Sequence, residues 1–72
     1  MIVTNVVKYK YVIKVFGDRG WHRKGKQIDQ FVVDAESIDA AKLQAEDKIP
    51  ERLYRLYGED FKYHIEVITL KA

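Results

Sequence analysis

The sequence predicts an α+β domain of order β-β-α-β, with a three-stranded antiparallel sheet in spatial order 2-1-3 and a helix on one face. Two patterns indicate this fold. Apolar residues alternate at period two in three segments, which is typical of strands. Between the second and the third of these segments, apolar residues recur at helical spacing. The 72 residues suffice for one domain, so we expect residues 1–72 to form a single compact α+β unit.

The first predicted strand covers residues 2–16 and alternates between an apolar side and a side rich in lysine. The apolar side carries Val7, Tyr9, Tyr11, Ile13 and Val15. The other side carries Lys8, Lys10, Val12, Lys14 and Phe16. This alternation predicts a strand with one buried face and one face that is in contact with water.

A glycine-rich loop over residues 17–26 is expected to join the first strand to a second strand at 27–35. Its three glycines can supply the positive φ angles that a turn needs. In the second strand, Phe31 and Val33 share one side with Asp29 and Ala35. The opposite side carries Ile28, Gln30, Val32 and Asp34.

A helix is predicted to begin after Ser37, whose hydroxyl group can cap the first turn, and to end at Gly58. Pro50 predicts a kink or a break, so residues 37–57 form either one kinked helix or two helices. Helical spacing places six residues against the sheet: Ile38, Ala41, Ala45, Ile49, Leu53 and Leu56. Tyr54 lies off that side and is expected to be exposed, where it could meet a partner.

The last strand is predicted at residues 61–70. Its inner side carries Phe61, Tyr63, Ile65 and Val67, and its outer side carries Lys62, His64, Glu66 and Ile68. The helix returns the chain, so the second and third strands run in the same direction. Placing the long first strand between them makes every pairing antiparallel, and this gives the order 2-1-3.

The formal net charge of +2 conceals an uneven distribution. Residues 1–27 contain seven Lys or Arg and one Asp, a net charge of +6. Residues 28–72 contain six Lys or Arg and ten Asp or Glu, a net charge of −4. We therefore expect the uncovered sheet face and the adjoining loop to be basic, and the helix and its flanks to be acidic.

These features predict nucleic-acid binding, because cations at the loop and along the first strand can neutralise phosphates. The only tryptophan lies in the same loop and offers a ring on which a base can stack. The candidate binding residues are Lys8, Lys10, Lys14, Arg19, Trp21, His22, Arg23, Lys24 and Lys26.

A protein-interaction module is the alternative function for the same surface. The uncovered face also carries apolar residues, so it could pair two copies of the chain as a homodimer. It could equally bind an acidic surface of a larger protein, as a small inhibitor or adaptor does. The binding residues would be the same ones in either case.

Several other functions are not expected from this sequence. Residues 20–26 match the start of a phosphate-binding P-loop, but Gln27 replaces the required Ser or Thr and a strand follows instead of a helix. Two histidines and no cysteine offer no specific metal-ligand spacing, and the only serine is explained as a helix cap. We expect no enzyme activity, no cofactor, no metal and no membrane insertion, and we expect a cytoplasmic location.

Overall fold

The structure is a computed structural model that describes residues 7–58 and 61–70. Three strands and one helix follow each other in the predicted order. They are β1 (Tyr9–Asp18), β2 (Lys24–Ala35), α1 (Ile38–Tyr57) and β3 (Tyr63–Thr69). The fold class is therefore confirmed as α+β with the order β-β-α-β.

The sheet has the predicted order, with β1 in the centre and antiparallel to both neighbours. Ile13 of β1 pairs with Phe31 of β2 and with Val67 of β3, and all three lie on the face that α1 covers. The next pairs along β1 alternate between this covered face and the uncovered one, which we call the open face. The longest apolar segment thus pairs on both of its edges, as the sequence predicted.

The core lies between the covered face and α1. Ile13 and Val15 of β1 and Ile49 of α1 have no measurable exposure. Ala41 and Ala45 are also fully buried, and their small side chains let the helix approach the sheet closely. The remaining buried residues are Tyr11, Val33, Ala35 and Leu53.

A register shift in the β1–β2 pairing changes the expected position of one side chain. Val15 pairs with Asp29, but the next residue of β1, Phe16, pairs with Gln27, so β2 contains an extra residue at Ile28. Ile28 packs against the buried core instead of lying on the open face as we predicted. A β-bulge interrupts strict alternation, and the period-two pattern of the sequence does not show where one will occur.

The connection between β1 and β2 is shorter than predicted, because the strands extend to Asp18 and from Lys24. Gly17 and Gly25 belong to the strands, and only Gly20 of the three has a positive φ, at 96°. Gly25 meets a different requirement, since a Cβ atom there would lie 2.7 Å from the carbonyl oxygen of Gly17. Close approach of two backbones explains this glycine, and turn geometry does not.

Helix α1 begins as predicted, with the backbone N–H of Ala40 donating to the Ser37 hydroxyl group at 3.1 Å. It continues through Pro50 as one helix, which resolves the question of one helix or two. Pro50 is exposed, so its ring does not disturb the packing against the sheet. The N–H of Gly58 donates to the carbonyl oxygen of Tyr54 and closes the helix.

Two helical residues expected in the core are exposed, Ile38 at 54% and Leu56 at 75%. Both lie in the end turns of α1, outside the buried run from Ala41 to Leu53. Helical spacing selects the correct side of α1, but it does not show which turns along that side pack against the sheet.

The other strand boundaries differ from the prediction by a few residues. Val7 and Lys8 precede β1, and the part of the predicted first strand at residues 2–6 lies outside the described residues. At the other end, Phe61 and Lys62 precede β3.

Candidate functional site

The β1–β2 hairpin closes with a turn that places two bulky residues in an unusual backbone conformation. Trp21 and His22 have φ values of 56° and 58°, and the N–H of Arg23 donates to the carbonyl oxygen of Gly20 at 3.1 Å. Positive φ at both central residues is the pattern of a type I′ turn, whose twist matches that of the two strands. Asn-Gly is the usual sequence there, so Trp-His carries a backbone cost.

Trp21 projects into solvent from this turn and is 92% exposed. Arg19, Arg23 and Lys26 lie around it and are also exposed. None of these three cations forms an ion pair within the described parts of the chain. The segment of residues 18–26, which we call the hairpin end, therefore presents one aromatic ring among cations that are open to a partner.

Lys24 differs from these cations because it already has partners on the open face. Its ammonium group lies 4.1 Å from the centre of the Phe16 ring and forms an ion pair with Glu66 of β3. The same ammonium group lowers the pKa of the Glu66 carboxyl group by hydrogen bonding. Lys24 thus crosses the central strand, and its charge is largely compensated within the protein.

The open face is more nearly balanced in charge than the sequence suggested. Lys10 lies directly opposite Asp34 of β2, and Lys14 lies directly opposite Glu66 of β3. Alternation along each strand placed the lysines correctly, but the net charge depends on which residues the register brings beside them. The cations of the hairpin end other than Lys24 form no ion pair among the described residues.

Between these two lysines, an apolar row crosses the open face. Val12 pairs with Val32 on one side and with Ile68 on the other, so the three side chains are direct cross-strand neighbours. Val32 is 51% exposed and Ile68 is 37% exposed. This row is the largest departure from a purely polar open face.

Asp18 connects the hairpin end to β3. One of its carboxylate oxygens accepts a hydrogen bond from the N–H of Gly20 at 2.7 Å, and the other lies 3.4 Å from Nε2 of His64. That nitrogen is buried and has no hydrogen-bond partner among the described residues. Asp18 therefore fixes the start of the turn through the N–H of Gly20 and lies beside the neighbouring strand.

An open cleft of about 400 Å³ lies between the hairpin end and residues at the end of α1 and just before β3. Trp21 and His22 line one side, and Tyr57, Phe61 and Lys62 line the other. The rings of Tyr57 and Phe61 are stacked with their centres 4.4 Å apart. We call this feature the aromatic cleft, and its two sides come from segments that are far apart in the sequence.

The candidate residues fall into two groups, which meet where Lys14 and Lys24 both lie beside Glu66. Lys8, Lys10 and Lys14 lie at or along β1, whereas the other six lie at the hairpin end. Sequence reasoning did not assign Tyr57, Phe61 or Lys62 to the site. Their only signal was that aromatic residues cluster around Gly58, and this clustering does not reveal that the hairpin lies opposite.

Within residues 7–58 and 61–70, no three histidine or carboxylate side chains lie close enough together to hold a metal ion. The helix of this part of the chain lacks the long apolar stretch that crossing a bilayer demands. No protein-family model, curated protein or solved structure matches the chain.

Proposed function

We propose that this protein is a small non-enzymatic nucleic-acid-binding module and that its hairpin end makes the principal contact. One observation supports this most strongly: Trp21 is held in solvent, at a strained backbone position, among cations without ion pairs in the described chain. A passive turn would favour Asn-Gly and would have no need of an exposed indole ring. Residues that keep a strained conformation are concentrated at functional sites.

The chemistry of the hairpin end suits a polyanion with aromatic components. Arg19, Arg23 and Lys26 can contact phosphates and release the counterions that surround them. The Trp21 ring can stack on a base, and an adjacent guanidinium group can add a cation–π contact. None of these contacts depends on the nucleotide sequence of the ligand, so we propose that the protein binds nucleic acids with little sequence preference.

The lysines of the sheet take a secondary part in this proposal. Lys10 and Lys14 each have a carboxylate opposite, so they add less to the attraction of a phosphate than the hairpin end does. Lys8 precedes β1 and is exposed. A nucleic acid that extends from the hairpin end along β1 would reach these three residues in addition.

We also propose a cytoplasmic location for the protein, which fractionation of cells would test.

The test is a titration of a labelled oligonucleotide, followed by fluorescence anisotropy at several salt concentrations. Binding should weaken steeply as salt rises. The double variant Arg19→Ala/Arg23→Ala should reduce the slope of log K against log salt by about 1.4 for a single strand or about 1.8 for a duplex. The matched control is Lys42→Ala/Lys48→Ala, which removes the same charge from exposed positions of α1.

The control should leave the slope nearly unchanged if the hairpin end makes the contact. Equal losses in both double variants would mean that only the net charge matters, and this would contradict a localised site. No binding at low salt would remove the proposal altogether.

A protein-interaction module is the second candidate, and the apolar row of Val12, Val32 and Ile68 favours it. In this version a second copy of the chain covers the open face. Both lysines that flank the row have a carboxylate opposite them, so association should depend less on salt than nucleic-acid binding does. Sedimentation at high protein concentration separates the two candidates. A dimer that dissociates in the Val32→Lys variant would support this version, and a monomeric parent protein would contradict it.

A further inference from the structure

The aromatic cleft has aromatic rings on both of its sides. On the side of α1 and β3, the rings of Tyr57, Phe61 and Tyr63 follow one another, with centres 4.4 Å and then 6.2 Å apart. Tyr57 is 46% exposed, so part of this aromatic wall is in contact with solvent. Trp21 lies on the opposite side of the cleft.

We propose that the aromatic cleft receives one unpaired base of a single-stranded nucleic acid, between Trp21 and the wall formed by Tyr57 and Phe61. This inference rests on the proposed function and specifies the form of nucleic acid. A base within a duplex has both faces stacked and cannot enter such a cleft without unpairing. A base of a single strand can turn out from its neighbours and stack on protein rings.

The size and charge of the cleft fit this occupant. About 400 Å³ is ample for one base, and Lys62 and His22 lie at the margins where a flanking phosphate would pass. Asp18 also lines the cleft and is an anion, but its side chain is only 11% exposed. One of its oxygens accepts a hydrogen bond from the N–H of Gly20 and the other lies beside the ring of His64, so the carboxylate is engaged within the protein.

The open shape of the cleft favours a polymer over a free nucleotide. A small ligand there would keep much of its surface in solvent, whereas tight small-molecule sites bury most of the ligand. A strand already held by Arg19 and Arg23 supplies the base at high effective concentration. The weak contact of one base then adds to the electrostatic contact of its neighbours.

The experiment compares Tyr57→Ala with Tyr54→Ala, which removes the same ring from the same helix outside the aromatic cleft. Tyr54 is 53% exposed, close to the 46% of Tyr57, so the two variants are well matched. The probes are labelled oligothymidylate and its duplex with oligoadenylate. Trp21 is the only tryptophan, so its fluorescence reports directly on the cleft. Tyr57→Phe is the conservative variant, and it keeps the stacking ring.

Oligothymidylate should bind more tightly than the duplex and should quench Trp21 fluorescence. Tyr57→Ala should weaken single-strand binding about 5- to 100-fold and leave duplex binding unchanged, whereas Tyr54→Ala and Tyr57→Phe should behave as the parent protein does. Equal effects of the two alanine variants, or equal affinity for both probes, would overturn the inference and leave the proposed function standing. Failure to bind either probe would remove both.

Discussion

Arg52 of α1 holds Asp29 of β2 through two hydrogen bonds, from Nε to Oδ2 at 2.6 Å and from Nη2 to Oδ1 at 2.9 Å. The guanidinium group also lies over the ring of Phe31, 4.6 Å from its centre. Asp29 follows the bulged residue Ile28, so this contact ties the helix to the irregular part of an edge strand. It is therefore a specific link between helix and sheet beyond apolar packing.

The first prediction concerns this pair. Arg52→Lys should lower the free energy of unfolding by about 1 kcal/mol, because lysine cannot form the paired hydrogen bonds or stack in the same way. Urea unfolding at neutral pH measures this. Lys48→Arg, at another exposed position of the same helix, is the control and should change little.

The same pair predicts a dependence of stability on pH. Hydrogen bonding to Arg52 lowers the pKa of Asp29 below its ordinary value near 3.8. The stabilisation is therefore fully present above that value and is lost as the pH falls through the lowered pKa. Asp29→Asn should flatten the acid limb of a plot of unfolding free energy against pH. An acid limb identical to that of the parent protein would show that the pair does not form in solution.

The third prediction contrasts two glycines that face each other across the hairpin. Gly25→Ala should destabilise the protein by about 1–3 kcal/mol, because the new Cβ atom would lie 2.7 Å from the carbonyl oxygen of Gly17. Gly17→Ala meets only ordinary contact with Ile28 at 4.0 Å and should be tolerated. Thermal unfolding of both variants tests this, and equal Tm values would contradict it.

The fourth prediction separates stability from function at the turn. Replacing Trp21 and His22 by Asn and Gly should raise the free energy of unfolding by about 1–2 kcal/mol, because both residues then suit positive φ. The same double variant should bind oligonucleotides more weakly. Urea unfolding and anisotropy titration of one preparation measure both effects. A loss of stability would mean that the turn is not strained.

The fifth prediction concerns the start of the helix. Ser37→Ala should cost about 1 kcal/mol, because the N–H of Ala40 loses its acceptor. Ser37→Asn should retain most of the stability, since the asparagine carbonyl group can accept the same bond. Chemical unfolding of the two variants gives the comparison, and equal losses would argue against a capping role.

The order of elements could be predicted because each depends on local patterns of the sequence. Alternation identified the strands, Ser37 identified the helix start, and small residues such as Ala41 and Ala45 identified the packed side. The strand order followed from pairing rules alone. These features need no knowledge of which distant residues meet.

The predictions that were wrong or missing concern features that depend on contacts between distant segments of the chain. The side on which Ile28 packs depends on a bulge, and the exposure of Leu56 depends on which turns of α1 pack against the sheet. The charge of the open face depends on the register that sets Glu66 beside Lys14. The aromatic cleft depends on Trp21 and Phe61, 40 positions apart in the sequence, lying along the same cleft, and no local pattern shows this.

Pro50 has a consequence for the internal motion of the helix. Its ring nitrogen carries no hydrogen, so the carbonyl oxygen of Glu46 lacks the donor that the next turn would otherwise supply. Beyond Pro50, Leu53 is the only buried residue of the helix, and Arg52 adds its exposed link to Asp29. Amide hydrogen exchange should therefore divide α1 into two units, with faster opening after Pro50. Each opening of the second unit would move Tyr57 away from Phe61, so the rate of local unfolding would govern how long the aromatic wall stays assembled.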